Sequence, residues 1–246
     1  MKGALFGTIA AAVAAAWLAP SQATAISSCG SGTHGSQGYG YAGFESAGVG
    51  SGVRATITQL RAPRVEAGHA AAWVGVGGPS AGPRGDSMWL QVGIALLPRT
   101  PAMIYAEITR PGHETVFLPL VRDVAVGTRH RLAVIEVSGR PGVWRVWVDG
   151  RPATDPVMLQ GSHKRWKPIA TAETWNGGSA TCNGFSFRFE RVGVALAPGG
   201  SWRAFAPGFS FRDRGYVVRQ LRPVRGGSRT LATHAIQAFA FDAASA

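Results

Sequence analysis

The chain has 246 residues, with 25 Lys and Arg against 13 Asp and Glu, and a formal net charge of +12. That length can bury a core without staples, and two cysteines are too few for a zinc site of the usual four-cysteine kind. A basic balance would suit nucleic acid or an acidic polysaccharide, but the charge is almost all arginine and is scattered, as at Arg54, Arg61, Arg64, Arg84, Arg99 and Arg110, so it reads as a solubilising surface and no nucleic-acid partner is expected.

Residues 1–25 read as a secretion signal. Lys2 supplies the positive end, Ala4 to Leu18 the apolar stretch, and Ala23-Thr24-Ala25 the small-residue cleavage site. The expected mature protein starts at Ile26 and works outside the cytoplasm. No membrane span is expected, because the apolar run is short and ends in Pro20-Ser21-Gln22. Ile26-Ser27-Ser28-Cys29 has the look of a lipoprotein box, but a polar spacer separates it from the apolar run. In an oxidising compartment Cys29 and Cys182 are expected to pair as a disulfide. Closing so long a loop would stabilise by roughly 4–5 kcal/mol in the chain-entropy model.

Residues 26–52 are rich in Gly and Ser, including Gly30, Gly32, Gly35, Gly38, Gly40 and Gly43, and read as flexible or loosely extended. From residue 53 onward strands dominate: Val53 to Ile57, Trp89 to Leu97, Met103 to Thr109 and His130 to Val137 all alternate. Val143 to Val148 runs into Asp149-Gly150, a strong hairpin turn signal. Phe185-Ser186-Phe187-Arg188-Phe189-Glu190 is the clearest period-two stretch. Residues 199–246 read as further strands, among them Arg203 to Phe211 and Thr233 to Phe241. With no long 3.6-residue apolar period and Gly/Pro turns between short strands, the prediction is an all-β antiparallel sandwich or jelly roll, concanavalin A-like, with residues 53–246 as one domain.

Side chains of a strand alternate between its two faces. Val74, Val76, Leu90, Val92 and Ala172 share one parity, and Ile94, Phe185, Phe187 and Phe189 join them as the predicted core. Trp73, Trp89, Gln91, Glu173 and Trp175 share the other. One face would therefore meet an apolar core while the other presents tryptophan, an amide and a carboxylate, the lining of a cleft that grips a polymer. Trp144 and Trp147, on opposite parities of one strand, read as packing residues.

Several chemistries have no support. A serine triad is not supported, and there is no H-E-x-x-H, no E-x-D-x-x-E of laminarinase-type glycosidases and no D-x-D-x-D-G calcium loop. The six histidines, His34, His69, His113, His130, His163 and His234, are dispersed and read as surface or structural residues. Gln91 and Glu173 remain. A carboxylate can take a proton from water while an amide N–H steadies an oxyanion, with no metal or cofactor required. From spacing alone, both could equally be polar residues on a solvated strand face.

The order Trp73-Val74-Gly75-Val76-Gly77-Gly78, Leu90-Gln91-Val92-Gly93, Tyr105-Ala106-Glu107 and Ala172-Glu173-Thr174-Trp175 resembles the eqolisins, the glutamic peptidase family, over roughly residues 40–206. The resemblance implies two seven-stranded sheets, a substrate cleft on the concave face and acid-active endopeptidase chemistry on a polypeptide substrate. Gln91 and Glu173 would be catalytic. Trp73 would wall the active site, with Trp89, Tyr105, Glu107 and Trp175 completing the substrate-binding surface. The chain departs from the family at Gly77-Gly78, where an aspartate is usual, at Trp175, displaced by one residue, at the thinned strand Ile104 to Glu107, and in its basic charge. A monomer is expected. The rival expectation is a non-catalytic carbohydrate-binding module, in which the same tryptophans stack on sugar rings and Gln91 and Glu173 bond to hydroxyls. A structural or adhesion domain with core tryptophans is a third.

Overall fold

The computed structural model describes residues 39–177, 183–221 and 239–245. The expected signal segment, Cys29, Cys182 and the start of the expected strand at Thr233 lie outside the described residues. Among the described residues sixteen strands, numbered in chain order, form two antiparallel sheets. The first sheet has seven, in the order β14 (Pro207–Arg212), β1 (Tyr39–Ser46), β11 (Ile169–Trp175), β3 (His69–Gly78), β4 (Met88–Leu96), β5 (Ala102–Thr109) and β6 (Val116–Val124). The second has nine. Its main order is β10 (Val157–Met158), β8 (Val143–Val148), β7 (Arg129–Glu136), β2 (Gly52–Gln59), β12 (Ser186–Ala195), β16 (Phe239–Ser245) and β15 (Tyr216–Gln220). The short β9 (Arg151–Pro152) pairs with β8 and β13 (Trp202–Ala204) with β12.

The fold is an all-β sandwich, as the alternation predicts. The second sheet exceeds the seven strands that the resemblance implies. Asp149-Gly150 turns β8 back on itself to make β9, with both turn residues at positive φ, and β13 folds back along the end of β12.

The two sheets bury one core. Val74, Val76, Leu90, Val92, Ile94 and Ala172 point into it from the first sheet. Ile57, Leu132, Val134, Phe187 and Phe189 meet them from the second. Each of these side chains other than Ala172 stabilises the sandwich by about 1.5–3 kcal/mol through apolar area removed from water. Phe189 is fully buried and stacks on Phe241 with centroids 4.4 Å apart. Phe189→Ala is therefore expected to cost about 3–5 kcal/mol, read as a lower denaturant midpoint at unchanged slope. An unchanged midpoint would mean the ring is not a core member. Trp144 is buried and donates its indole N–H to Ser162 Oγ at 2.7 Å, whereas Trp147, on the other parity, is half-buried on the outer face.

Two local features differ from the strand reading. In β12 the inward parity changes from Phe187 and Phe189 to Val192 and Val194. A bulge at Glu190 to Gly193, with Arg191 at φ 52°, absorbs the extra residue. The second correction concerns 26–52, expected to be loose. Its described part contains β1, which holds a central place between β11 and β14. Glycine permits that position: a Cβ on Gly43 would stand 2.4 Å from the Ala170 carbonyl oxygen. The chain after residue 206 supports β1 in turn, through β14 and through Asp213, whose carboxylate accepts the Tyr41 N–H at 2.8 Å.

Candidate active site

The outer face of the first sheet carries the predicted polar parity. Cross-strand pairing sorts it into rows. Tyr41, Glu173, Ala71, Ala95 and Met103 form one row across β1, β11, β3, β4 and β5. Gly43, Thr171, Trp73, Gly93 and Tyr105 form the next. Glu45, Ile169, Gly75, Gln91 and Glu107 form the third, which continues to Phe117 on β6. Glu173 and Gln91 are thus two strands and two rows apart, and each bonds toward the row between them. Trp73 donates its indole N–H to Glu173 Oε2 at 3.0 Å, and the Gln91 amide donates to the Tyr105 hydroxyl at 3.0 Å.

Between Trp73 and Tyr105 in that middle row stands Gly93, which has no side chain. Gly93 thus lies in the row between that of Glu173 and that of Gln91. The glycine is required by contact as well. A Cβ there would meet the Ala72 carbonyl oxygen at 2.3 Å and Trp73 Cβ at 2.6 Å. Gly93→Ala is expected to push β3 and β4 apart, costing about 1–3 kcal/mol and shifting the tryptophan emission. Unchanged thermal unfolding and emission would refute this close approach. Gly75 makes similar room for Gln91, since a Cβ on it would lie 2.8 Å from Gln91 Cβ.

These groups are not on a solvated strand face. Gln91 is 6% exposed, Glu173 9%, Trp73 8% and Tyr105 2%. Ala71, Trp73, Ala95, Met103 and Tyr105 form an apolar cluster of their own on the same face. Charged and amide groups held in such surroundings interact more strongly than in water.

Glu173 has a second partner absent from the sequence reading. His69 opens β3, and its Nε2–H donates to Glu173 Oε1 at 2.9 Å. Its ring lies 5.9 Å from both Tyr39 and Trp175, and those two stack on each other at 5.9 Å. The signal for His69 was parity: it stands four residues before Trp73, on the same face, as Tyr39 and Tyr41 do relative to the rest of β1. At the other end Trp89 donates to Glu107 Oε1 at 2.8 Å, and Tyr105 stacks on Phe117 at 4.8 Å. All the sequence-predicted site residues, Gln91, Glu173, Trp73, Trp89, Tyr105, Glu107 and Trp175, therefore share one face, with Tyr105 placed under Gln91 rather than as an open wall.

Burial, with the Glu173 charge second, pushes the Glu107 carboxyl up to about 7, against the opposing effects of the Trp89 bond and His69. Burial and Glu173 also raise the phenols. Tyr39 is pushed up to about 12, and Tyr41 and Tyr105 are raised further, so all three keep their protons in acid and neutral solution. Among the described residues no group of three or more His, Cys, Asp or Glu is placed to hold a metal ion, and no helix is long and apolar enough to cross a membrane.

No family model and no curated protein sequence matches the chain. Solved structures do. A scytalido-glutamic peptidase with a peptide-based transition-state analogue aligns at 14% identity and a TM-score of 0.53, covering 84% of this chain and 98% of its own. The same peptidase with a transition-state analogue inhibitor aligns at 12% identity and a TM-score of 0.51 over the same shares. SCP-B, a member of the eqolisin family in complex with the tripeptide Ala-Ile-His, aligns at 12% identity and a TM-score of 0.49. At these identities the likeness is one of fold.

Proposed function

We propose that this chain is a secreted glutamic endopeptidase that hydrolyses peptide bonds of an extended polypeptide with Gln91, Glu173 and one water. The observation that carries this reading is the pair of buried groups on one sheet face, in the rows on either side of Gly93, each held by its own partner. In the reaction, the Glu173 carboxylate takes a proton from water as the water oxygen attacks the carbonyl carbon. The carbonyl electron pair moves onto oxygen, and the free Gln91 N–H, the one not given to Tyr105, bonds the oxyanion. The intermediate then re-forms its C=O bond, the C–N bond breaks, and Glu173 returns the proton to the leaving nitrogen. Trp73 and His69 orient the carboxylate throughout. The half-buried rings of Trp175 and Tyr39 at one end, and of Trp89 at the other, favour bulky apolar residues on both sides of the bond cut.

A second reading keeps the cleft and drops the chemistry: a secreted carbohydrate-binding sandwich. The mutual stacking of Tyr39, Tyr41 and Trp175 favours it, because half-buried flat rings suit sugar faces. Incubating the protein with an unfolded polypeptide from about pH 2 to about pH 7, below and above the carboxylate range, separates the two. New peptide termini support the peptidase. Intact polypeptide together with saturable oligosaccharide binding supports the module.

A further inference from the structure

We propose that Glu107 enters the reaction as a neutral carboxylic acid, donating its O–H to the same carbonyl oxygen that Gln91 bonds, so that the oxyanion rests on two donors from neighbouring strands. The inference deepens the peptidase reading and rests on it.

The placement comes first. Glu107 on β5 is the direct cross-strand partner of Gln91 on β4, on the same face of the sheet. Such partners hold their Cβ atoms about 4.5–5.5 Å apart, so two side chains of nearly equal length reach one small group together. The other neighbour of Glu107 in the row is Phe117, an aromatic ring stacked on Tyr105. Its hydrogen-bond donor is a neutral indole, Trp89. The basic side chain that bears on it, His69, is already bonded to Glu173. A half-buried carboxylate with one neutral donor, a neighbouring carboxylate and, among the described residues, no paired cation is costly to keep ionised. A neutral carboxyl there costs little and gains a donor, a device by which a protein keeps an acid protonated to stabilise an oxyanion.

Its titration range agrees with that setting, being pushed up to about 7 by burial and by the Glu173 charge. The titratable groups facing it are Glu173, His69, Tyr39, Tyr41 and Tyr105, and the phenols stay neutral throughout. The sign follows. Below about 7 Glu107 holds its proton and can donate. As pH rises through that value the proton leaves, the donor is lost, and a second negative charge appears beside the developing oxyanion. Cleavage should therefore fall on the basic side near neutrality. No proton is transferred from Glu107: water's proton travels through Glu173 to the leaving nitrogen, and the Glu107 proton is shared with the oxyanion and retained.

The test compares wild type, Glu107→Gln and Glu107→Ala over about pH 4 to about pH 8, spanning the ordinary and raised carboxyl ranges. Glutamine donates at every pH. Glu107→Gln should turn over more slowly than wild type but lose the decline toward neutrality. Glu107→Ala should lose about 10²–10³ in turnover, as removal of an oxyanion donor typically does. A basic limb retained in Glu107→Gln, or full activity in Glu107→Ala, would overturn the inference. A readout independent of turnover is the infrared carbonyl band of a protonated carboxyl in the full chain in mildly acid solution, which should vanish in Glu107→Gln. Cleavage by wild type without that band overturns this inference alone. The band without any cleavage overturns the peptidase reading, and with it the catalytic use of the proton.

Discussion

Replacing Glu173 by glutamine should lower peptide-bond cleavage by about 10²–10⁴, the range over which a positioned acid–base group acts, while the protein stays folded. The substitution keeps the side chain's length and shape and leaves an oxygen to accept the Trp73 N–H, now 3.0 Å from Oε2. What it removes is the ability to take up a proton. In the proposed cycle that ability is used twice, first on water and then toward the leaving nitrogen. His69 does not substitute for it, because its Nε2 is turned toward the carboxylate rather than free. The measurement is the rate of new amino termini from an unfolded polypeptide, beside thermal unfolding of both proteins. Equal rates in wild type and Glu173→Gln would remove Glu173 from the chemistry. Loss of rate together with loss of the folding transition would show only a structural defect, and Glu173→Asp, which keeps the charge on a shorter stem, should then restore folding and part of the rate.

How much of this was legible in the sequence depends on the range over which each signal acts. Strand parity is local, so the separation of Val74, Val76, Leu90 and Val92 from Trp73, Trp89 and Gln91 could be read directly, and the sandwich preserves it. The bulge in β12 was legible in principle too, since Phe187 and Phe189 are followed by Val192 and Val194 on the opposite parity. β1 was hidden because its glycines resemble those of a loop. In the sheet they are the small residues that let β1 approach β11, while Tyr39 and Tyr41 keep the outward parity. The strands β9 and β13 are too short to show any period. The partners of Glu173 could not be read from spacing at all: His69 and Trp73 lie 104 and 100 residues away, and only the pairing of β11 with β3 brings them together. Burial of a polar face was likewise illegible. Whether Gln91 meets solvent or a cleft depends on what flanks the sheet, and no local pattern records that.

Gln91→Ala should cost about 10²–10³ in turnover, the usual effect of deleting one oxyanion donor. The loss should fall on kcat and on kcat/KM alike. The bond from the amide to the oxyanion exists only once the carbonyl oxygen carries charge, so removing it leaves ground-state binding nearly intact. The Gln91 amide is well held for the task. It is 6% exposed, one of its N–H groups is fixed on the Tyr105 hydroxyl, and Gly75 across the strand leaves it room. Truncation to alanine also leaves the buried Tyr105 hydroxyl without its partner, a cost of about 1–3 kcal/mol in stability, so the assay must be run well below the unfolding temperature of the variant. Gln91→Glu controls for cavity formation. It fills the same space but, when ionised, offers only acceptors and sets a charge beside Glu107, so it should be no more active than Gln91→Ala. Tyr105→Phe keeps the amide and removes only the oxygen that orients it, and its loss should be smaller than either. A rise in KM with kcat unchanged in Gln91→Ala would instead assign Gln91 to substrate binding, and near-wild-type turnover in Gln91→Glu would exclude donation to an oxyanion.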